Sequence, residues 1–258
     1  YDYFYSAWFL KLRHKYLELG ISRNVLSGGI DIKWNAYDAL QVLINSKNIL
    51  MWDSINEYYI KANFENIDLV IFFDIGIPKR NFAGKNQNVY YDHAVATNMG
   101  FRKKGAMGFK NILFGAEYTN LILGRYFNII PTPNWFDNKN YNYSSFRGYR
   151  WSSHSGTDSD DFLLFIGYED QKKGIVYGLN FERHGVTYNF PPEVKFENRI
   201  NLFYAFEKTV VRLLCEFEYF EHYGFVDDNK NIWSQTFEDG SIQRTNSAIL
   251  SFERVLNF

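Results

Sequence analysis

The residue types that could do chemistry in this chain are numerous, but their spacing builds none of the familiar catalytic sites. Histidines stand at 14, 93, 154, 184 and 222, without the short spacings that bring two imidazoles onto one metal ion. Cys215 is the single cysteine, so there is no intrachain disulfide and no cysteine-rich zinc site, and neither metal nor cofactor is expected. A G-x-S-x-G elbow, a phosphate-cradling Gly-rich loop and an H-E-x-x-H pair are all missing. Glu216 and Glu218 share the polar face of one alternating segment, where two carboxylates could divide acid and base roles. A water-lined wall carrying charge accounts for them more simply. The expectation is a protein that is not an enzyme.

Binding chemistry is better represented. The stretch Tyr141–Asp161 mixes Tyr141, Tyr143, Tyr149 and Trp151 with Arg147 and Arg150 and with short acidic and hydroxyl residues; Trp135 lies just upstream. Aromatic faces stack on the apolar faces of sugars, and guanidinium groups bond carboxylates and hydroxyls in pairs. Trp135, Tyr141, Tyr143, Arg147, Tyr149, Arg150 and Trp151 are therefore the candidate glycan contacts. The competing reading is a loop packed on its own side chains, with Arg147 and Arg150 paired to Asp158 and Asp160.

Period-2 alternation dominates the segments that must position this loop. Tyr58, Ile60, Ala62 and Phe64 alternate with Glu57, Tyr59, Lys61 and Asn63, and Ile71 and Phe73 continue the apolar set in the next run. Tyr177 and Leu179, then Ile200 and Leu202, then Leu213 and Phe217 repeat the pattern against Glu182, Glu197, Arg199, Glu216 and Glu218. The apolar set is expected to face lipid and the charged set a lumen. No proline interrupts these runs, and they reach the roughly ten residues a tilted strand needs to cross hydrocarbon. Tight joints near Asn66-Ile67, Lys103–Ala106, Asp170–Lys173 and Glu207-Lys208 alternate with long excursions over Pro78–Tyr91, Gly124–Ser159, Gly185–Val194 and Tyr223–Gln243. Sorting of short turns and long loops to opposite rims is a barrel property. About nine strands follow from Glu57 onward. Up to three more are expected in Leu12–Arg23, Gly29–Trp34 and Ala36–Ile44, with Asn45–Asn56 a loop or short helix.

Composition narrows the setting. A formal net charge of -1 leaves no basic footprint for nucleic acid. Aromatic residues make up 20% of the 258 residues, with 20 Tyr and 25 Phe, yet mean hydropathy is -0.34. Such a surplus suits a membrane boundary, where a Tyr ring sits in hydrocarbon and its hydroxyl in water. No apolar run approaches the roughly 18 residues of a membrane helix, which leaves the closed barrel as the spanning structure. The fold expected is all-β: an antiparallel up-and-down transmembrane β-barrel, partial, with about 9–12 strands in this chain. Residues 1–258 are read as a single barrel domain, N-terminally truncated because the chain opens on Tyr1 rather than Met. Membrane lipids are then partners. So is the barrel-assembly machinery, which reads a last strand such as Ala248, Leu250, Phe252, Leu256, Phe258 with Arg254 interrupting.

Short motifs in a shared order carry a resemblance. Leu17-Glu-Leu-Gly-Ile-Ser-Arg23 precedes Gly28-Gly29, Glu117-Tyr-Thr119 follows, and Gly148-Tyr-Arg-Trp-Ser-Ser-His-Ser-Gly156 leads into Asp158-Ser-Asp160. In order and spacing, from about Leu17 to His184, the chain resembles the capsule assembly Wzi family. It differs at Tyr143-Ser-Ser-Phe146, where the family often has a histidine before its Gly-Tyr, and at Ser152-Ser153, where Leu-Gly is common. The resemblance implies an outer-membrane barrel of the Gram-negative envelope that binds capsular or related surface polysaccharide and helps anchor or assemble it without catalysis. A porin or polysaccharide-export channel is the alternative that a charged lumen supports.

Overall fold

β-branched and aromatic residues at alternate positions favour an extended chain with two unlike faces, and such a chain is stable only when its backbone groups are paired on both sides. The computed structural model of the protein describes residues 3–28, 51–78, 96–106, 108–121, 145–146, 149–150, 159–186, 192–207, 209–222 and 242–254. In it the alternating runs become β1 (Tyr3–His14), β2 (Leu17–Gly28), β3 (Met51–Phe64), β4 (Leu69–Pro78), β5 (Ala96–Ala106) and β6 (Phe109–Asn120). A minimal hairpin follows, β7 (Ser145–Phe146) with β8 (Tyr149–Arg150). Then come β9 (Ser159–Glu169), β10 (Lys173–His184), β11 (Glu193–Phe206), β12 (Thr209–Glu221) and β13 (Gln243–Arg254). Apart from the hairpin, all join one 11-stranded sheet in the order β1-β2-β3-β4-β5-β6-β9-β10-β11-β12-β13, each strand antiparallel to its sequence neighbour. This is the wall of an up-and-down barrel, with β1 and β13 as its edges among the described residues.

The connections sort by rim. The short joins at 15–16, 65–68 and 170–172, and those from β5 to β6 and from β11 to β12, lie at one end of the sheet, and the long connections leave from the other. Asp170 shapes one turn: its carboxylate accepts the backbone N–H of Lys172 and of Lys173, both at 2.8 Å, and the Tyr168 hydroxyl at 2.9 Å. These bonds hold the Asp170 carboxyl below the usual carboxylate range.

Three expectations need correction. Leu12–Arg23 is not one strand but the two arms of a hairpin turning at Lys15-Tyr16, a pair with none of the Gly, Asn or Pro that usually marks a turn. Of Asn45–Asn56, residues 51–56 belong to β3 rather than to a loop or helix. The tight joint placed at Lys103–Ala106 is strand: Gly105, at φ +76°, serves a bulge between Lys104 and Ala106, and the chain turns at Gly108, φ +82°, before β6. Gly29–Trp34 and Ala36–Ile44 lie outside the described residues.

The two faces differ as the alternation requires. Tyr58, Ile60, Ile71, Phe73, Tyr177 and Leu179 share the outer face and are 38–45% exposed. On the other face Glu182 and Glu197 are only 2% and 7% exposed, so the sheet curls around its polar side. Among the described residues, Lys103, Asp160, Arg183 and Arg244 carry outward charge near strand ends, while Arg23, midway along β2, is an outward charge that is buried at 8% exposure. Aromatics collect there too. Phe181 and Phe196 pack edge to face at 4.9 Å toward the long-loop rim, and Tyr204 lies 6.3 Å from Phe206 at the short-turn rim. Inside, rings lie directly across from glycines: Tyr59 faces Gly20, Phe72 faces Gly100, Phe165 faces Gly115 and Phe203 faces Gly174. A Cβ on Gly100 would stand 2.7 Å from Phe72 Cζ and 2.6 Å from the Ala116 carbonyl oxygen. The wall needs a missing side chain there to seat the ring.

Candidate functional site

β6 and β9 are register neighbours, so the longest connection leaves and returns at one place on the long-loop rim. Asn120 faces Asp160, and the Leu121 N–H donates to the Ser159 carbonyl at 2.7 Å, closing the neck of the loop. Of the candidate glycan contacts, Tyr149 and Arg150 form β8, with Tyr149 opposite Phe146 and Arg150 opposite Ser145. Trp135, Tyr141, Tyr143, Arg147 and Trp151 lie outside the described residues. Of the alternative pairing of Arg147 and Arg150 with Asp158 and Asp160, Arg147, Asp158 and the Arg150 side chain lie outside the described residues. Asp160 itself takes the guanidinium of Arg183, its register partner on β10, with Nε at 2.9 Å from Oδ1 and Nη2 on Oδ2. A cross-strand neighbour is already in place when the sheet forms, and the bidentate fit fixes the carboxylate's orientation.

The densest chemistry among the described residues lies on the inner face, where β10, β11 and β12 bring their polar positions into register. Lys195 stands opposite Glu182, Glu197 opposite both Asn180 and Glu218, and Glu218 opposite Thr245. The Lys195 ammonium reaches Glu197 at 2.8 Å, Glu218 at 2.9 Å and Glu182 at 3.5 Å. His184 bridges Glu182 and Glu193, its Nε2 and Nδ1 each 3.0 Å from a carboxylate oxygen. Thr245 donates to Glu218, and the Asn180 amide donates to Glu182 at 2.6 Å. Burial makes the arrangement strict, because a charge taken from water must find its partners within the protein.

What the cluster can do follows from what its groups already hold. Both imidazole nitrogens of His184 are engaged by carboxylates, so neither is presented to a serine or a water as a base. Glu216, weighed above as an acid or base beside Glu218, accepts the Ser247 hydroxyl at 3.0 Å. No group of three or more His, Cys, Asp or Glu among the described residues is placed to hold a metal ion. Sequence reasoning assigned Glu182, Glu197, Arg199, Glu216 and Glu218 to this face by parity. It did not single out Lys195, His184, Asn180 or Thr245 as a connected set, and their positions at matching distances from the tight turns are the signal that could have done so.

No family model matches the sequence, and no curated protein does. Among solved structures, Wzi of Escherichia coli matches, described as an outer-membrane protein involved in group 1 capsule assembly and a carbohydrate-binding β-barrel. The match covers 85% of this chain at 12% identity with a TM-score of 0.50, and the chain spans 48% of that structure. At that identity the likeness is one of fold: the same kind of barrel wall.

Proposed function

We propose that the chain forms part of an outer-membrane β-barrel that binds a capsular or other surface polysaccharide and helps hold or assemble it at the cell surface, without catalysing its turnover. The observation that carries the membrane half is the split between faces. Charge at mid-membrane on a lipid face costs about 2–4 kcal/mol, and the outer face keeps its charge near the strand ends except for Arg23, which lies midway along β2 and is buried. No helix among the described residues is long and apolar enough to cross a membrane, so strands carry the span in this reading. The residues at 1–258 make up one barrel domain to which further strands belong. Lipid surrounds it, and the last strand addresses it to the assembly machinery.

The glycan half rests on the longest connection. It springs from the rim opposite the short turns, the rim that faces outward in such barrels. It carries Trp135, Tyr141, Tyr143, Arg147, Tyr149, Arg150 and Trp151 as stacking and hydrogen-bonding groups. The likeness to a carbohydrate-binding barrel of the same fold supports the same reading. Changing Tyr149, Arg150 and Trp151 together to Ala tests it. The variant is expected to assemble into a heat-modifiable barrel and to lose most retained polysaccharide; a variant that assembles and retains it as well as the parent removes the binding assignment. A porin or export channel is the second reading, favoured by the density of charge on the inner face.

A further inference from the structure

The charges of the inner face are sorted along the strands. Toward the short turns it carries Lys11 and Arg13 on β1, Lys61 on β3, Arg102 and Lys104 on β5, and Arg212 on β12. Toward the long-loop rim it carries Glu57, Asp74, Glu117 and Asp161 on β3, β4, β6 and β9, and then the carboxylates of the β10–β12 cluster. Arg199, midway along β11 opposite Glu216, and the exposed Glu253 near the short-turn end of β13 run against this sorting; the other exceptions are held by their surroundings. Glu18 is paired with Lys11 and Arg13, and Glu169 with Arg102 and Lys104; Lys195 is held by three carboxylates. A minority charge so engaged does not reverse the sign of the field around it.

A second observation points to what the acidic half would receive. Asn180 is 6% exposed and spends its amide N–H on Glu182, while its Oδ1 is buried and accepts no hydrogen bond. It stands opposite Glu197. What Asn180 Oδ1 lacks is a hydrogen-bond donor, and the carboxylates around it favour one that carries positive charge. With no metal-binding group placed among the described residues, the acidic half concentrates cations rather than chelating one.

We propose that the inner face is a polarised lumen whose long-loop half is a water-filled acidic vestibule, admitting small ammonium-bearing solutes and rejecting polyanions, while its short-turn half has the opposite preference. This goes beyond polysaccharide binding and rests only on the barrel fold. It also places an acidic glycan on the loops, outside the lumen, because entry would bring like charges together.

The test uses the full-length protein in lipid vesicles with Cys215→Ser as background. Asn98→Cys places a thiol between Asp74 and Thr119 in the acidic half, and Ser251→Cys places one opposite Arg212 in the basic half. Each is reacted with a methanethiosulfonate bearing a trimethylammonium group, one bearing a sulfonate, and a neutral one. The cation-to-anion rate ratio at Asn98→Cys is expected to exceed that at Ser251→Cys by at least about tenfold, and to shrink as salt is raised. Adding Asp74→Asn and Glu117→Gln is expected to bring the Asn98→Cys ratio down toward that of the neutral control. Equal ratios at the two positions overturn the polarised field. Failure of the neutral reagent to reach Asn98→Cys in an assembled barrel overturns the water-filled vestibule. Neither result touches the loop assignment, which the polysaccharide-retention assay judges separately.

Discussion

Two ion-pair clusters on the inner wall are built alike and in opposite sign. At the long-loop end one lysine, Lys195, is held by Glu182, Glu197 and Glu218; at the short-turn end one glutamate, Glu169, is held by Arg102 and Lys104. Burial separates them. Side-chain exposure is 13% for Lys195 and 2% for Glu182, against 53% for Arg102 and 30% for Glu169. Their distances differ in the same sense, 2.8–2.9 Å for two of the three Lys195 contacts and 3.3–3.9 Å for those of Glu169. The first cluster is fixed in place, because its charges have nowhere else to go. The second is a surface arrangement that water can replace. The difference teaches that the acidic half of the wall is rigid where the basic half is adjustable.

The largest effect should come from breaking the buried cluster on one side only. Lys195→Met leaves the surrounding carboxylates crowded and uncompensated, and removing one partner of a buried pair costs about 3–5 kcal/mol. The urea midpoint of the assembled barrel measures it. Adding Glu197→Gln, which lowers the leftover charge, should recover part of the loss. A single variant that unfolds with the parent would mean that Lys195 is no anchor, and the contrast with Glu169 would collapse.

The exposed cluster should respond weakly. Glu169→Gln is expected to shift stability by about 0–1 kcal/mol and to lose even that at high salt, as exposed pairs do. A shift comparable to that of Lys195→Met would show the short-turn end to be held as rigidly as the other.

How far such features can be read from sequence depends on whether they have a period. The outer and inner sets of β3, β4 and β10–β12 were legible because each residue's face follows from parity alone. Which charges meet was less legible, since Lys195 reaches Glu218 only through the register between β11 and β12, set where Glu207 turns the chain with a positive φ of 51°. The Lys15-Tyr16 turn was hidden because neither residue is a turn former, and Gly105 misled because a bulge and a turn ask for the same backbone freedom. The loop residues from Trp135 to Trp151 show their chemistry but no period, so their types were readable and their relative positions were not.

The smallest effect sits one residue beyond Glu169 and sharpens the same comparison. Asp170 is half-buried at the surface of its turn, where it holds two backbone N–H groups and the Tyr168 hydroxyl, and its carboxyl is lowered by them. A carboxyl lowered in the folded state adds stability that is fully present above the ordinary aspartate value of about 3.9, and that is lost as pH falls through the lower folded value. Asp170→Ala should therefore unfold slightly earlier than the parent at neutral pH, with a gap that stays level down to about pH 5 and closes in stronger acid. Salt should barely change the gap, because neighbouring N–H and O–H donors rather than a distant charge dominate it. Urea midpoints of parent and variant across that pH range make the measurement. A gap that persists unchanged to the lowest pH would mean that the side chain fills the turn rather than bonding its backbone, while one that salt erases would place Asp170 with Glu169 among the adjustable charges.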